Sequence, residues 1–334
     1  MPRELAIDLG TSSCRVFVRD AGLVLDEPSV VALDGRSRGV LAIGHAATDL
    51  IGRTTRPVRA VHPMFQGAVA DVDITAALLR YLLRRAGGSR FQRPKVLLTV
   101  PATATPIERR ALRKAAEDAG AGSVRLLEAP MAAAMELGVP FAEPVGTMVC
   151  DLGGGKSEVA VLSLGGVVAL RALRVGGLDL DQAIASYVRN TYGVVVADAT
   201  STAVKEAIGS VDPAPTDHDL ELPGRVVSTG VPATVVLRAD EVRTAMAEAV
   251  GQIVAAVVQC LAGAPPELSQ DIIFQGIHLV GGASQLRGLP ERLEQATDVP
   301  VHVHGDPSTV IAAGAGRLLQ EGARYDRLIA RSSG

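Results

Sequence analysis

Asp151-Leu-Gly-Gly-Gly-Lys-Ser-Glu158 is the stretch on which the fold turns. The apolar run Thr147–Leu152 leads into it and a second, Glu158–Leu162, leads away, so it reads as strand, Gly-rich turn, strand. Three successive glycines carry a high entropic cost on ordering, and they make sense where a ligand must approach the main chain. An aspartate at the strand end precedes them. There a carboxylate can hold a hydrated Mg²⁺ against a phosphate.

The same pattern occurs near the N-terminus. Leu5–Leu9 is a short apolar strand, Asp8-Leu-Gly-Thr-Ser-Ser13 contains a tight turn, and Arg15–Arg19 reads as the returning strand. A turn built from Gly10, Thr11, Ser12 and Ser13 exposes backbone N–H groups, and such nests bind phosphate. One such turn is an ordinary hairpin. Two Asp-Leu-Gly hairpins, each followed by mixed strands and helices, predict duplicated α/β lobes on either side of one triphosphate. A single doubly wound sheet with insertions is the alternative. Toward the C-terminus, Leu279-Val-Gly-Gly-Ala-Ser284 is a strand running into a Gly-rich turn. Gly281, Gly282, Ala283 and Ser284 can cover a nucleoside without bulky side chains; a plain strand-to-helix turn has the same spelling.

Between these motifs, Val96–Val100 is a buried strand closed by Pro101, and Pro106–Ala119 a helix with Glu and Arg on its wet side. Val124–Leu127 is a strand, and Pro130 opens a helix through Leu137. Further helices are predicted from Asp179 to about Tyr192, over Asp240–Leu261 with Asp240 as N-cap, and over Pro307–Leu319. Asp212–Asp219 is a loop by composition, and Val226–Val236 a hairpin.

At 334 residues the chain suggests two domains or one large split unit. Hydrophobic residues make up 48%, Trp is absent and aromatics are 3%, so the core is built from Ala, Val and Leu. Mean hydropathy is +0.27, which argues against disorder over most of the length. A net charge of −3 leaves no electrostatic footprint for nucleic acid. Cys14, Cys150 and Cys260 are odd in number and widely spaced, which fits small buried residues in a reducing cytoplasm. Met1–Asp8 has no apolar signal-peptide core, and no uncharged apolar run approaches ~20 residues, so no transmembrane helix is expected.

The three motifs, in this order, resemble the phosphate 1, phosphate 2 and adenosine motifs of the actin, sugar kinase and chaperone ATPase superfamily. More narrowly, the chain resembles the MreB/Mbl family of bacterial actin-like cell-shape-determining proteins along nearly its whole length. The matching stretches are Asp26-Glu-Pro-Ser-Val-Val31, Glu128-Ala-Pro-Met-Ala-Ala-Ala134, Glu158-Val-Ala-Val-Leu-Ser-Leu-Gly-Gly166, Pro265-Pro-Glu-Leu268 with Asp271-Ile-Ile273, Leu286-Arg-Gly-Leu289, and Asp306-Pro307 followed by Gly314-Ala-Gly316. The resemblance implies an α/β actin-like ATPase fold: duplicated ribonuclease H-like lobes and four subdomains around a nucleotide cleft. The expected division is residues 1–145, 146–312, and a C-terminal helix and tail over 313–334 that returns to the first lobe. ATP and Mg²⁺ are the implied cofactors, with Asp8 and Asp151 as metal-binding carboxylates. Nucleotide contacts are expected from the three turns, including Gly153, Gly154, Gly155 and Lys156, and from Thr202 and Lys205. The resemblance further implies membrane-associated double protofilaments that organise wall synthesis. Partners would be the chain itself, family paralogues and wall-synthesis membrane proteins, at the inner face of the cell membrane. A small-molecule kinase on the same fold is a weaker reading, since no unassigned cleft Asp sits in a kinase-like motif.

Departures from the family cluster in the cleft. The family reads Glu-Glu-Pro before its Met-Ala-Ala-Ala helix; here it is Glu128-Ala129-Pro130, so the carboxylate thought to orient the attacking water is absent. Glu128 is the remaining catalytic candidate. The family's Gly-Gly-Gly-Thr-Thr-Glu has become Gly153-Gly-Gly-Lys156-Ser157-Glu158. Lys156 can face phosphate oxygens as a point charge or point outward. Thr202 stands for a Glu, Ala283 for a Gly and Ser13 for an Asn. Together these changes imply weak hydrolysis on a surviving binding backbone, or a degenerate paralogue that acts as a scaffold or co-polymer. The family's apolar membrane loop corresponds to Gly87–Pro94, which offers Phe91 between Arg90 and Arg93. Basic residues near an anionic leaflet contribute about 1 kcal/mol each, and an ordinary solvated loop has the same composition.

Overall fold

The computed structural model describes residues 3–37, 39–51, 53, 57–87, 93–213 and 218–332, with side chains to residue 321. Two five-stranded sheets form its frame. In the first, the order is Ser123–Glu128, Lys95–Val100, Glu4–Leu9, Ser13–Val18, Gly22–Pro28. In the second it is Val301–Val303, Ile277–Val280, Thr147–Leu152, Ser157–Ser163, Gly166–Leu173. The two match strand for strand: each opens with a three-stranded antiparallel meander, and each has parallel strands added beside the first strand. The duplication predicted from the Asp-Leu-Gly turns is thus carried by the whole sheet, and a single doubly wound sheet is excluded.

The central strands Glu4–Leu9, Lys95–Val100, Thr147–Leu152, Ser157–Ser163 and Ile277–Val280 are near-continuously buried because both sheet faces are covered there. In the first lobe Leu5, Ile7, Val96 and Leu98 pack with Leu78, Leu79 and Leu82 of the helix Val72–Arg85 and with Leu112 of Pro106–Ala119. In the second, Met148, Cys150 and Leu152 pack with Leu180 and Ile184 of Gly177–Tyr192 and with Val242, Met246 and Ile253 of Ala239–Ala262. A third core joins the lobes. Ala6, Leu97 and Leu127 from one sheet and Val149, Ala160 and Leu162 from the other close on the helices Ala129–Leu137 and Val310–Ser332. Ala132, Ala133 and Ala134 are fully buried there. A Cβ on Gly314 would overlap the Ala132 carbonyl, so the small residues of both helices let two backbones meet. Two three-stranded sheets complete the four-part layout: Val40–Ile43, Val31–Asp34, Val58–Val61 in one lobe, and Val194–Val195, Leu220–Val226, Pro232–Leu237 in the other.

Several local expectations need correcting. The hairpin begins at Leu220 rather than Val226, because Pro223 and Gly224 disguise its first strand. Asp240 lies inside its helix and pairs with Arg238; the first turn is closed instead by the Glu241 carboxylate, which accepts from the Arg238 N–H at 2.9 Å. The last helix starts at Val310, since Pro307–Thr309 form a turn in which Asp306 accepts from Ser308, and it continues to Ser332. Ala239–Ala262 is long and apolar enough to cross a membrane by length and composition. Its Val242, Met246, Val250, Ile253 and Val257 are buried in the second-lobe core. The three cysteines are buried and unbridged.

His278, on the strand Ile277–Val280, lies opposite His302 and has its Nδ1 3.0 Å from His304 Nε2. Burial, with the neighbouring His304 and His302 charges, pushes its pKa down to about 4. An unfolded histidine binds a proton near 6.5, so between pH 6.5 and 4 the unfolded chain holds more protons and stability falls as pH drops. Chemical denaturation should show about 2 kcal/mol lost between pH 7.5 and 5 from this group. His278→Gln should remove most of that slope; an unchanged slope would assign it elsewhere.

Candidate functional site

The two Gly-rich turns close in the same way. Gly10 N–H donates to the Ser13 carbonyl and Gly153 N–H to the Lys156 carbonyl, both at 3.0 Å. They face each other across the cleft, the glycines of the second turn against the Thr11 and Ser12 side chains of the first. A Cβ on Gly154 would overlap the Ser12 hydroxyl, so only glycine fits. Gly281 carries the third turn at φ +85, where a side chain would be strained and would strike the Leu152 carbonyl of the second hairpin. All three motifs therefore meet in one place.

Two adjoining cavities make up the cleft. The first is lined by Asp8, Thr11, Arg15, Thr99, Ala129, Asp151, Gly154 and Lys156, among others. The second, of about 600 Å³, is lined by Asp181, Thr202, Lys205, Glu206, Ala283 and Arg287. That volume is in the usual range for small-molecule sites. Ser12, Ser13, Arg15, Gly154, Gly282 and Ser308 border both. Ser284 turns inward, donating to the Gly281 carbonyl at 2.6 Å, and shapes the turn rather than the wall.

At the floor of the first cavity lie Asp8 and Asp151. Burial raises the Asp8 carboxyl pKa, while the Thr99 hydroxyl, donating at 2.6 Å, and the Arg15 charge oppose that rise. Asp151 is pushed up to about 8 by burial and by the charges of Asp8 and Glu158. Two partly buried carboxylates that repel one another, both offering oxygen, suit a hard divalent cation. Asp8 and Asp151 thus fit Mg²⁺.

Lys156 does not point outward: it lines the first cavity and is ion-paired there. Its ammonium lies 2.8 Å from Glu158 Oε1 and donates to Thr103 Oγ1 at 3.1 Å. Glu158, fully buried, also accepts from the Ala102 and Thr103 N–H groups at 3.1 and 3.0 Å and from the Thr103 hydroxyl at 2.8 Å. A second-lobe carboxylate therefore holds the first-lobe loop after Val100, and Lys156 neutralises it. Ala129, the first residue of its helix, lines the cleft. Glu128 is turned to Arg109, 2.8 Å away, and is not among the lining residues.

In the second cavity Thr202 donates to Asp181 Oδ2 at 2.8 Å, and Lys205 pairs with Asp181 Oδ1 at 2.8 Å while donating to the Gly177 carbonyl. Asp181 is a site residue that motif reading missed. Its signal was available: a carboxylate sharing the buried face of Gly177–Tyr192 with Ile184 and Val188, at helical spacing. Arg15 and Thr99 were missed too; nothing in their local sequence marks them. Arg90 and Phe91 lie outside the described residues.

The profile of the family described as MreB/Mbl protein matches residues 2–327. Cell shape-determining protein MreB of Escherichia coli K12 is 42% identical over 323 residues, covering 95% of this chain and 93% of that protein. Cell shape-determining protein Mbl of Bacillus subtilis 168 is 36% identical over 318 residues, covering 95% and 96%. Among solved structures, MreB5 of Spiroplasma citri bound to ADP superposes with a TM-score of 0.91 at 28% identity, covering 98% of both chains; the AMPPNP complex gives the same values. A MamK double helical filament subunit gives 0.81 at 20% identity, covering 96% and 99%, a likeness of fold.

Proposed function

Since the chain belongs to the MreB/Mbl family of cell shape-determining actin homologues, we propose that it binds ATP with Mg²⁺ in this cleft and assembles with itself into filaments. These lie against the inner face of the cell membrane and organise wall synthesis. The observation that carries the reading is the pair of Gly-rich turns in contact beside two partly buried aspartates that line the same cavity. Nucleotide complexes of a relative with the same fold support it. The N–H groups of Thr11–Ser13 and of Gly154 and Gly155 would hold phosphate oxygens, those of Gly10 and Gly153 being engaged within their own turns, and Asp8 and Asp151 would hold the cation. Mg²⁺, when bound, neutralises phosphate charge. Thr202 and Lys205, fixed by Asp181, flank the nucleoside with Gly281, Gly282 and Ala283.

Hydrolysis is slow in this proposal. Ala129 offers the water no carboxylate, and Lys156 is held by Glu158. The same two residues favour a second reading, a non-hydrolysing scaffold or co-polymer of family paralogues, which differs only in turnover. The chain divides into lobes at residues 1–145 and 146–312, with 313–334 returning to the first. Calorimetric titration tests the binding step: ATP should bind in the presence of Mg²⁺ and more weakly with chelator, and no heat or displacement in either condition would refute it.

The membrane contact is assigned to Arg90 and Phe91, a weak anchor that suffices when many subunits are linked in a filament. Phe91→Ala should lower pelleting of polymer with anionic liposomes severalfold. Equal pelleting would remove this loop from the account.

A further inference from the structure

We propose that Arg15 is the side-chain cation that binds the phosphates of the nucleotide in this cleft, an assignment that rests on the nucleotide reading above. Two cationic side chains line the phosphate cavity, Arg15 and Lys156. Lys156, the one the turn motif suggests, has its charge taken up by Glu158 at 2.8 Å. Arg15 is different. It sits on Ser13–Val18 directly opposite Asp8 on one side and Asp26 on the other, in a cross-strand row on the cleft face of the sheet. Its Nε–H donates to Asp26 Oδ2 at 3.1 Å and Nη1 to the Ser13 hydroxyl at 3.0 Å. A guanidinium has five N–H donors; with these two used, three remain without a partner among the described residues.

The surroundings favour an anion. The Arg15 side chain is only 12% exposed, whereas that of Asp26 is 50% exposed. The Asp26 pair is therefore screened and weak, and it steadies the Arg15 stem without satisfying the head. A guanidinium largely removed from water and short of acceptors binds phosphate strongly, and its planar fork can take two oxygens at once. Its place fixes which phosphates. Arg15 borders both cavities, at the junction that Ser12, Ser13 and Gly154 share, where a phosphate chain meets its nucleoside. It thus serves the diphosphate common to ADP and ATP and contributes nothing to adenosine. The family-like turns supply backbone N–H groups, and in this chain Arg15 adds the charge that Lys156 cannot.

The test is titration of the full chain, in Mg²⁺, with ATP, ADP and adenosine. Wild type is compared with Arg15→Leu, Arg15→Lys and Asp26→Asn, and the unfolding midpoint of each variant is measured alongside. Arg15→Leu should weaken ATP and ADP alike by on the order of 10- to 100-fold, as expected for a lost charged hydrogen bond, and leave adenosine unchanged. Arg15→Lys should retain part of the phosphate affinity. Asp26→Asn breaks the same ion pair but keeps the guanidinium, and should bind ATP as well as wild type or better. Loss of affinity for all three ligands together, loss in Asp26→Asn equal to that in Arg15→Leu, or no loss at all would overturn the assignment and make Arg15 a structural partner of Asp26. A wild type that binds neither ATP nor ADP would instead overturn the proposed function, and this assignment with it.

Discussion

The double substitution Ala129→Glu with Lys156→Thr should raise phosphate release from ATP by about 10²–10⁴-fold, the contribution of one positioned acid–base group. In barrier terms that is roughly 3–5 kcal/mol, at about 1.4 kcal/mol per tenfold. The structure makes the pair specific. Ala129 is the first residue of Ala129–Leu137 and lines the cavity, so a carboxylate grown from it enters the cleft. Removing Lys156 frees that carboxylate from a competing cation, while Glu158 keeps its Ala102 and Thr103 donors. Lys156→Thr alone should do little to phosphate release, though it removes the counter-charge of buried Glu158. A wild-type rate typical of the family would mean that another group positions the water. Glu128 would then have to leave Arg109, and the slow-turnover reading would fall.

Glu158→Ala should destabilise the chain by about 3–5 kcal/mol, the usual result of breaking a buried ion pair from one side. The loss leaves the Ala102 and Thr103 N–H groups without their acceptor and Lys156, whose side chain is 13% exposed, without its counter-charge. Because these contacts tie the second-lobe strand Ser157–Ser163 to the first-lobe loop, the cleft should loosen with them. Adding Lys156→Thr to Glu158→Ala should recover part of the loss, since the stranded charge is then gone. Denaturant titration of the two single variants and the double variant checks this. A cost below about 1 kcal/mol for Glu158→Ala would show that the carboxylate is dispensable.

The sequence makes the sheets and turns legible because their signals are local. Gly154 must be glycine to pass Ser12, and the strand–turn–strand pattern recurs because the sheet recurs. The lobe-joining core shows in the sequence only as the family-like Ala132–Ala134 and Gly314–Gly316; that the two meet follows from packing that no local pattern records. Motif-led reading also passes over Val72–Arg85, whose Asp71 cap and buried leucines are visible once sought. The site residues that were missed owe their roles to distant partners. Thr99 reaches Asp8 across 91 residues, because parallel strand order is settled by tertiary pairing. Lys205 meets Asp181 from a different helix. Lys156 was legible in part: two residues before Glu158, it shares its face of an extended chain, and so has a carboxylate within reach.

In the proposed function the cleft holds ATP, supports assembly and seldom turns over. Sedimentation of the purified chain with and without ATP and Mg²⁺, with phosphate release read on the same sample, tests it most directly. The account predicts polymer in the pellet only with nucleotide, phosphate release near background, and pellets that persist because no hydrolysis triggers disassembly. Nucleotide-independent pelleting, or pelleting with phosphate released as polymer forms and followed by disassembly, would contradict it.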